Sequence, residues 1–139
     1  MKKIQQKKIA DIYKMLASAK MSKMKDEDRF SFIRTMNKLR PIANGVNEII
    51  ADACKRLEPD GWDGIVQKIS SNAKLSVSES ETLNKYNRDV QTCVNAEINK
   101  EVEVDFEELS MEAISSLSAS NDYTLEQTML LNDVLGHEL

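Results

Sequence analysis

The chain has 139 residues, 41% hydrophobic and 30% charged, with 5% aromatic residues, four glycines and two prolines. That balance is too apolar for a disordered chain and too poor in aromatics and turn formers for an all-β domain. The net charge of −4 hides a gradient. Residues 1–25 carry eight Lys against one Asp, residues 26–70 seven basic against eight acidic residues, and residues 71–139 four basic against fourteen acidic.

Residues 3–20 are expected to form an amphipathic helix. Ile9, Ile12, Tyr13, Leu16 and Ala19 share one face at the 3.6-residue period, while Lys3, Lys7 and Lys14 project from the other. Residues 21–25 read as a connector, and Asp26, Glu27 and Asp28 then place three acids where a helix N-terminus favours them. From there Phe32, Met36, Leu39, Ala43, Val46, Ile50, Ala53 and Leu57 recur at spacings of four and three, the seam of a helix packed lengthwise on another. Pro41 should kink or break this helix near Leu39–Arg40, although the seam keeps its register across it. Ile33, Ile42 and Ile49 lie beside the seam and could form a second stripe for helix-mediated oligomerisation.

The run from Glu58 to Gly61 stops the helix, and a short amphipathic helix using Trp62, Ile65, Val66 and Ile69 follows. Ser76 with Glu79, or Ser78 with Glu81, offers a capping box for a second long helix that turns Leu83, Tyr86, Val90, Cys93, Val94 and Ile98 inward. The two long helices should form an antiparallel hairpin, with Cys54 and Cys93 as buried thiols. Residues 101–106 read two ways. Acid and apolar residues alternate as in a half-buried strand, yet Ile98, Val102, Phe106 and Leu109 also suit a helix. Ser110 then caps a short helix with Met111, Ile114 and Leu117. Asn121-Asp122 turns the chain, and Thr124 with Gln127 caps a last helix bearing Leu125, Leu130, Leu131, Val134 and Leu135, ended by Gly136.

The expected fold is all-α: a long helical hairpin plus a C-terminal subdomain of short helices, with a short extended segment at 101–106 left open. The chain reads as a single domain, 1–139, made of a basic N-terminal helix (1–25), the hairpin (26–100) and an acidic short-helix region (101–139). No stretch approaches the roughly 18 apolar residues of a membrane span, and no apolar segment follows the N-terminal lysines, so the expected location is a cytoplasm.

Familiar catalytic parts are missing. His137 is the only histidine, which removes the usual Ser–His, Cys–His and zinc chemistries, and Gly45, Gly61, Gly64 and Gly136 stand too far apart for a phosphate loop. Asp60-Gly61-Trp62-Asp63-Gly64 lacks the spacing of a calcium loop and reads as a turn anchored by Trp62. No enzyme activity, cofactor or metal is expected. The candidate sites are therefore surfaces for partners. Lys3, Lys7, Lys14, Lys20 and Lys25 make a basic set suited to an acidic protein surface, of this chain or another, or more weakly to nucleic-acid phosphates. Glu101, Glu103, Asp105, Glu107 and Glu108 make the acidic counterpart, and Phe32, Met36, Leu39, Val46, Ile50 and Leu57 the helix-packing seam. A homo-oligomer joined by helix packing and opposed charges is the leading expectation, and capture of a foreign protein by the acidic half is the alternative.

Three stretches carry a resemblance: 23–30 continuing to Leu39-Arg40-Pro41-Ile42, then Tyr86-Asn87-Arg88-Asp89-Val90, then Val104 to Ser110. In these the chain resembles small uncharacterised helical proteins from phages and mobile elements of gut Bacteroidetes. The resemblance implies a mobile-element origin, with roles such as virion part, assembly chaperone or inhibitor of host defence. It transfers no site residues.

Overall fold

The computed structural model describes residues 2–136, and in it the chain runs β1 (Lys2–Gln5), α1 (Gln6–Leu16), α2 (Asp26–Arg56), α3 (Trp62–Ser70), α4 (Val77–Ile98), β2 (Glu101–Val104), α5 (Met111–Asn121) and α6 (Leu125–Leu135). The all-α class holds, with one two-stranded sheet added. Backbone contacts divide the chain into two units. Unit 1 joins Met1–Val46 to Asn99–Leu139, and unit 2 is Asn47–Ile98, so one boundary falls inside α2.

In unit 1 the sheet corrects the expectation of one helix over 3–20. β1 pairs antiparallel with β2 in the register Lys2↔Val104, Lys3↔Glu103, Ile4↔Val102, Gln5↔Glu101, and the helix starts only at Gln6. Ile4 and Val104 are buried while Lys3, Glu101 and Glu103 are exposed, so the alternation of the acidic segment works as a strand with one solvated face. Pairing with a segment about a hundred residues away overrides the local helical periodicity of residues 3–5.

Ile9, Ile12 and Leu16 of α1 are fully buried, as the helical period requires. They share one apolar core with Phe32, Met36 and Leu39 of α2, Leu109, Ala113, Ile114 and Leu117 around α5, and Leu131, Val134 and Leu135 of α6. Burying side chains of this size contributes about 1.5–3 kcal/mol each. Both expected caps form here. Ser110 Oγ accepts from Ala113 N–H at 3.1 Å, and Thr124 and Gln127 close a reciprocal capping box. Gly136 does end α6, but with extended backbone (φ −96°, ψ −179°) and not the left-handed cap expected. Its N–H still donates to the Asn132 carbonyl at 2.9 Å, Leu109 N–H donates to the neighbouring Leu135 carbonyl at 2.8 Å in a parallel bridge, and space explains the glycine. A Cβ there would run into Asn132 Oδ1 and meet Ile114 Cδ1 at 2.7 Å.

α2 is one helix of 31 residues, continuous through Pro41, so of the expected kink or break the break does not occur and the kept register of the seam belongs to a single helix. Its acids Asp26, Glu27 and Asp28 occupy the first turn and Lys55 and Arg56 the last, both favourable to the helix dipole. The seam is buried from Phe32 to Val46, at Phe32, Met36, Leu39, Ala43 and Val46. Beyond Val46 it departs from a strict heptad. Ile50 is 38% exposed, Ile49 is half-buried in its place, Ala53 is buried and Leu57 half-buried. Ile50 lies about five whole helical turns beyond Phe32 and so keeps its angular place on the helix; what changes is the covering, because past Val46 the helix belongs to unit 2.

Unit 2 holds the end of α2, all of α3 and all of α4. Gly61 caps α3 in the left-handed region (φ 78°), which a side chain would strain. Ser76 and Glu79 form the first of the two expected capping boxes, with Ser76 N–H to Glu79 Oε1 at 3.0 Å and Glu79 N–H to Ser76 Oγ at 3.1 Å. α4 is tied to α2 through Tyr86, whose hydroxyl donates to the Cys54 carbonyl at 3.0 Å, and through Arg56, which donates to Cys93 Sγ at 3.1 Å. Both thiols are free and half-buried.

Candidate functional site

The charge gradient of the sequence closes on itself within unit 1. Residues 1–46 carry twelve basic and four acidic side chains, and residues 99–139 one basic and ten acidic, so a segment of +8 lies in the same unit as one of −9. Lys2 is held most tightly. Its ammonium donates to the carbonyls of Gly136 at 2.5 Å and Val134 at 3.3 Å, sits 3.8 Å from Glu108 and lies 5.8 Å from the Phe106 ring centre. It thereby meets the negative end of the α6 dipole. Lys8 pairs with Asp133 at 3.4 Å, Lys25 with Glu112 at 2.9 Å and Arg34 with Glu107 at 3.0 Å. The hydrogen bond between Lys25 and Glu112 raises the Lys25 pKa and lowers that of Glu112. Pairs this exposed are individually weak, so their part is to favour one arrangement of the chain ends.

Neutral hydrogen bonds add geometry to that attraction. Asn121 Oδ1 accepts from Lys20 N–H at 2.7 Å, and its Nδ2 donates to the carbonyls of Lys20 at 2.9 Å and Leu117 at 2.8 Å. Ser120 Oγ takes the Lys23 N–H, and the Tyr123 hydroxyl reaches the Met15 carbonyl at 3.4 Å. Burial raises the Tyr123 pKa. The helix expected to run to residue 20 ends at Leu16, and residues 17–25, of which 21–25 read as a plain connector, are clamped to the end of α5, with Met24 buried beneath. The Asn121 clamp was not legible in the sequence, where the residue reads as turn chemistry.

The two candidate charged sets separate accordingly. Of the basic set, Lys25 is committed to Glu112, while Lys3, Lys7, Lys14 and Lys20 are exposed with no ion pair among the described residues. Of the acidic set, Glu107 serves Arg34 and Glu108 faces Lys2. Glu101, Glu103 and Asp105 are exposed, with Glu103 directly opposite Lys3 in the sheet. His137 lies outside the described residues.

Unit 2 presents a different chemistry. Its buried apolar residues are Ala53, Ile65, Val94 and Ile98, whereas Ile50, Val66, Ile69 and Val77 are exposed, Val77 by 78%. Polar and aromatic contacts do much of the holding. Trp62 lies against Tyr86 with ring centres 4.1 Å apart and tilted by 39°, so the turn anchored by Trp62 is seen, with Tyr86 as the anchor point. Burial, then the contact with Cys54, pushes the Tyr86 phenol up. Lys68 bonds Glu79 at 2.7 Å, and with the Ser76 N–H this holds the Glu79 carboxyl down at about 2.

Set against protein-family models, curated proteins and solved structures, the chain matches none. Its function has to be argued from these surfaces. Among the described residues no helix is long and apolar enough to cross a membrane, and no three His, Cys, Asp or Glu side chains converge as metal ligands do.

Proposed function

We propose that the protein is a non-enzymatic structural or assembly protein that associates with its own copies through the apolar side chains of unit 2. The observation that carries this reading is the exposure of Ile50, Val66, Ile69 and Val77 in a unit of 52 residues with four buried apolar residues. Units below about 60 residues bury too little surface to be more than marginally stable, and association supplies the missing burial. The opposed charges, being drawn together inside one chain, act in folding and leave packing as the glue between copies. A phage-like particle in a cytoplasm is the setting that the sequence resemblance suggests.

Light scattering across a concentration series tests it. The expected result is a defined oligomer that survives high salt, because apolar association is not screened, and that Ile69→Asp with Val66→Asp converts to monomer. A chain monomeric at all concentrations, or an oligomer that salt dissolves, would overturn the reading.

A second reading is supported by the exposed carboxylates of Glu101, Glu103 and Asp105, which make no ion pair among the described residues: capture of a basic surface on a foreign protein. Replacing Glu103 and Asp105 with Lys should then abolish that capture and leave the oligomer intact.

A further inference from the structure

An open groove of about 1240 Å³ runs along β1 in unit 1, with Met111 and Ile114 of α5 and Met129 of α6 on its other side. Ile114 is buried, but Met111 is 65% and Met129 62% exposed, two flexible thioethers standing at the rim of a cleft. Among the described residues the sheet has two strands, so β1 has one edge without a partner strand there. Which backbone groups lie on that edge follows from one hydrogen bond. Gln6 N–H donates to the Lys100 carbonyl at 3.1 Å, which makes this pair, and by antiparallel alternation Ile4 with Val102 and Lys2 with Val104, the bonded ones. Lys3 and Gln5 belong to the non-bonded pairs, so the Lys3 N–H and C=O and the Gln5 N–H point away from β2.

We propose that this edge accepts an extended peptide as a third strand, one that alternates acidic and apolar residues. The groups directed outward by Lys3 and Gln5 supply main-chain bonds, which is how peptide-binding sheet edges obtain affinity. Alternation fixes the side chains. On the solvated face an incoming residue lies beside Lys3, whose ammonium makes no ion pair among the described residues, and a carboxylate suits it. On the other face it lies over the groove beside Ile4, where Met111, Ile114 and Met129 favour an apolar side chain. β2 already meets this requirement on the opposite edge, placing Glu103 beside Lys3 and Val102 beside Ile4. An edge lysine ordinarily discourages strand addition, and here it selects acidic strands over others. This site is separate from the unit 2 surface and does not depend on self-association.

The probe is a capped, fluorescent peptide with the sequence of residues 100–106, titrated into the full chain by anisotropy. Saturable binding is expected, weakened several-fold by Lys3→Glu. Gln5→Pro is the sharper variant, because Gln5 has φ −61° and ψ 135°, which proline adopts, and its N–H takes no part in the β1–β2 ladder. It should weaken binding about tenfold, the effect of losing one hydrogen bond and leaving its peptide acceptor unpaired, with helix content and melting unchanged. If Gln5→Pro also disturbs the fold, backbone N-methylation of the peptide replaces it: methyl groups on alternate amides should abolish binding in one phase and spare it in the other. No saturable binding, equal binding by a folded Gln5→Pro protein, or indifference to methylation phase would overturn the proposal. Equal binding would also be the mark of a peptide that displaces β2 and does not add to β1.

Discussion

Unit 1 and unit 2 are made from similar residues and are held in different ways. Among the described residues, unit 1 draws sixteen buried apolar side chains from both ends of the chain into a common core, and arranges ion pairs and the Asn121 clamp at its margin. Unit 2 is continuous in sequence, buries four, and relies on a Trp–Tyr contact, a capping box and single hydrogen bonds between helices. The difference teaches that local helix quality and burial are separate matters. α4 of unit 2 carries a capping box like that of α6 in unit 1, but capping satisfies backbone groups and removes no apolar surface from water.

Truncating the core should break the comparison most visibly. Leu117→Ala, at a side chain with no exposure, is expected to cost about 2–5 kcal/mol in chemical denaturation, whereas Ile69→Ala in the monomer should cost well under 1 kcal/mol. Equal losses would mean that the two units are stabilised alike. Gly136→Ala comes next, at about 1–3 kcal/mol, because the added methyl must displace Asn132 and Ile114. Asn121→Ala should cost about 1–3 kcal/mol by removing two hydrogen bonds to Lys20 and one to Leu117 within α5. Hydrogen exchange on that variant should rise at Lys20 and Lys23 first, and leave α3 and α4 as they were.

The smallest effect sharpens the account of unit 2. The Glu79 carboxyl is held at about 2, below its ordinary value of 4.5, so its contribution is complete above 4.5 and is lost as the pH falls from there towards 2. Amides in the first turn of α4 should therefore exchange faster, relative to those of α6, at pH 3 than at pH 6. Glu79→Gln, which keeps a capping acceptor without the charge, should remove most of that pH dependence. Unchanged exchange ratios in the native protein would show that Lys68 and Ser76 do not hold the carboxylate as described.

Whatever rests on neighbours in sequence could be read from residues alone. The caps at Ser76, Ser110 and Thr124, the burial period of Ile9, Ile12 and Leu16, and the seam from Phe32 to Val46 all depend on groups within a few residues of one another. The failures have a common cause. Residues 3–5 carry a helical pattern and became a strand, because the partner that overrules it begins at Glu101; the same event decided that residues 101–104 are strand and not helix. The seam failed at Ile50 because past Val46 the helix enters unit 2, where other segments decide which of its faces is covered. The acidic and basic sets were legible as composition, yet which members pair (Lys8 with Asp133, Lys25 with Glu112, Arg34 with Glu107) depends on how the chain ends meet. The sequence by itself determined the all-α class, the caps and the opposed charges of the two ends. Only the tertiary structure decided the pairing of those ends, the open edge of β1 and the exposed apolar surface of unit 2, because each is set by segments far apart in the chain or by what no segment covers.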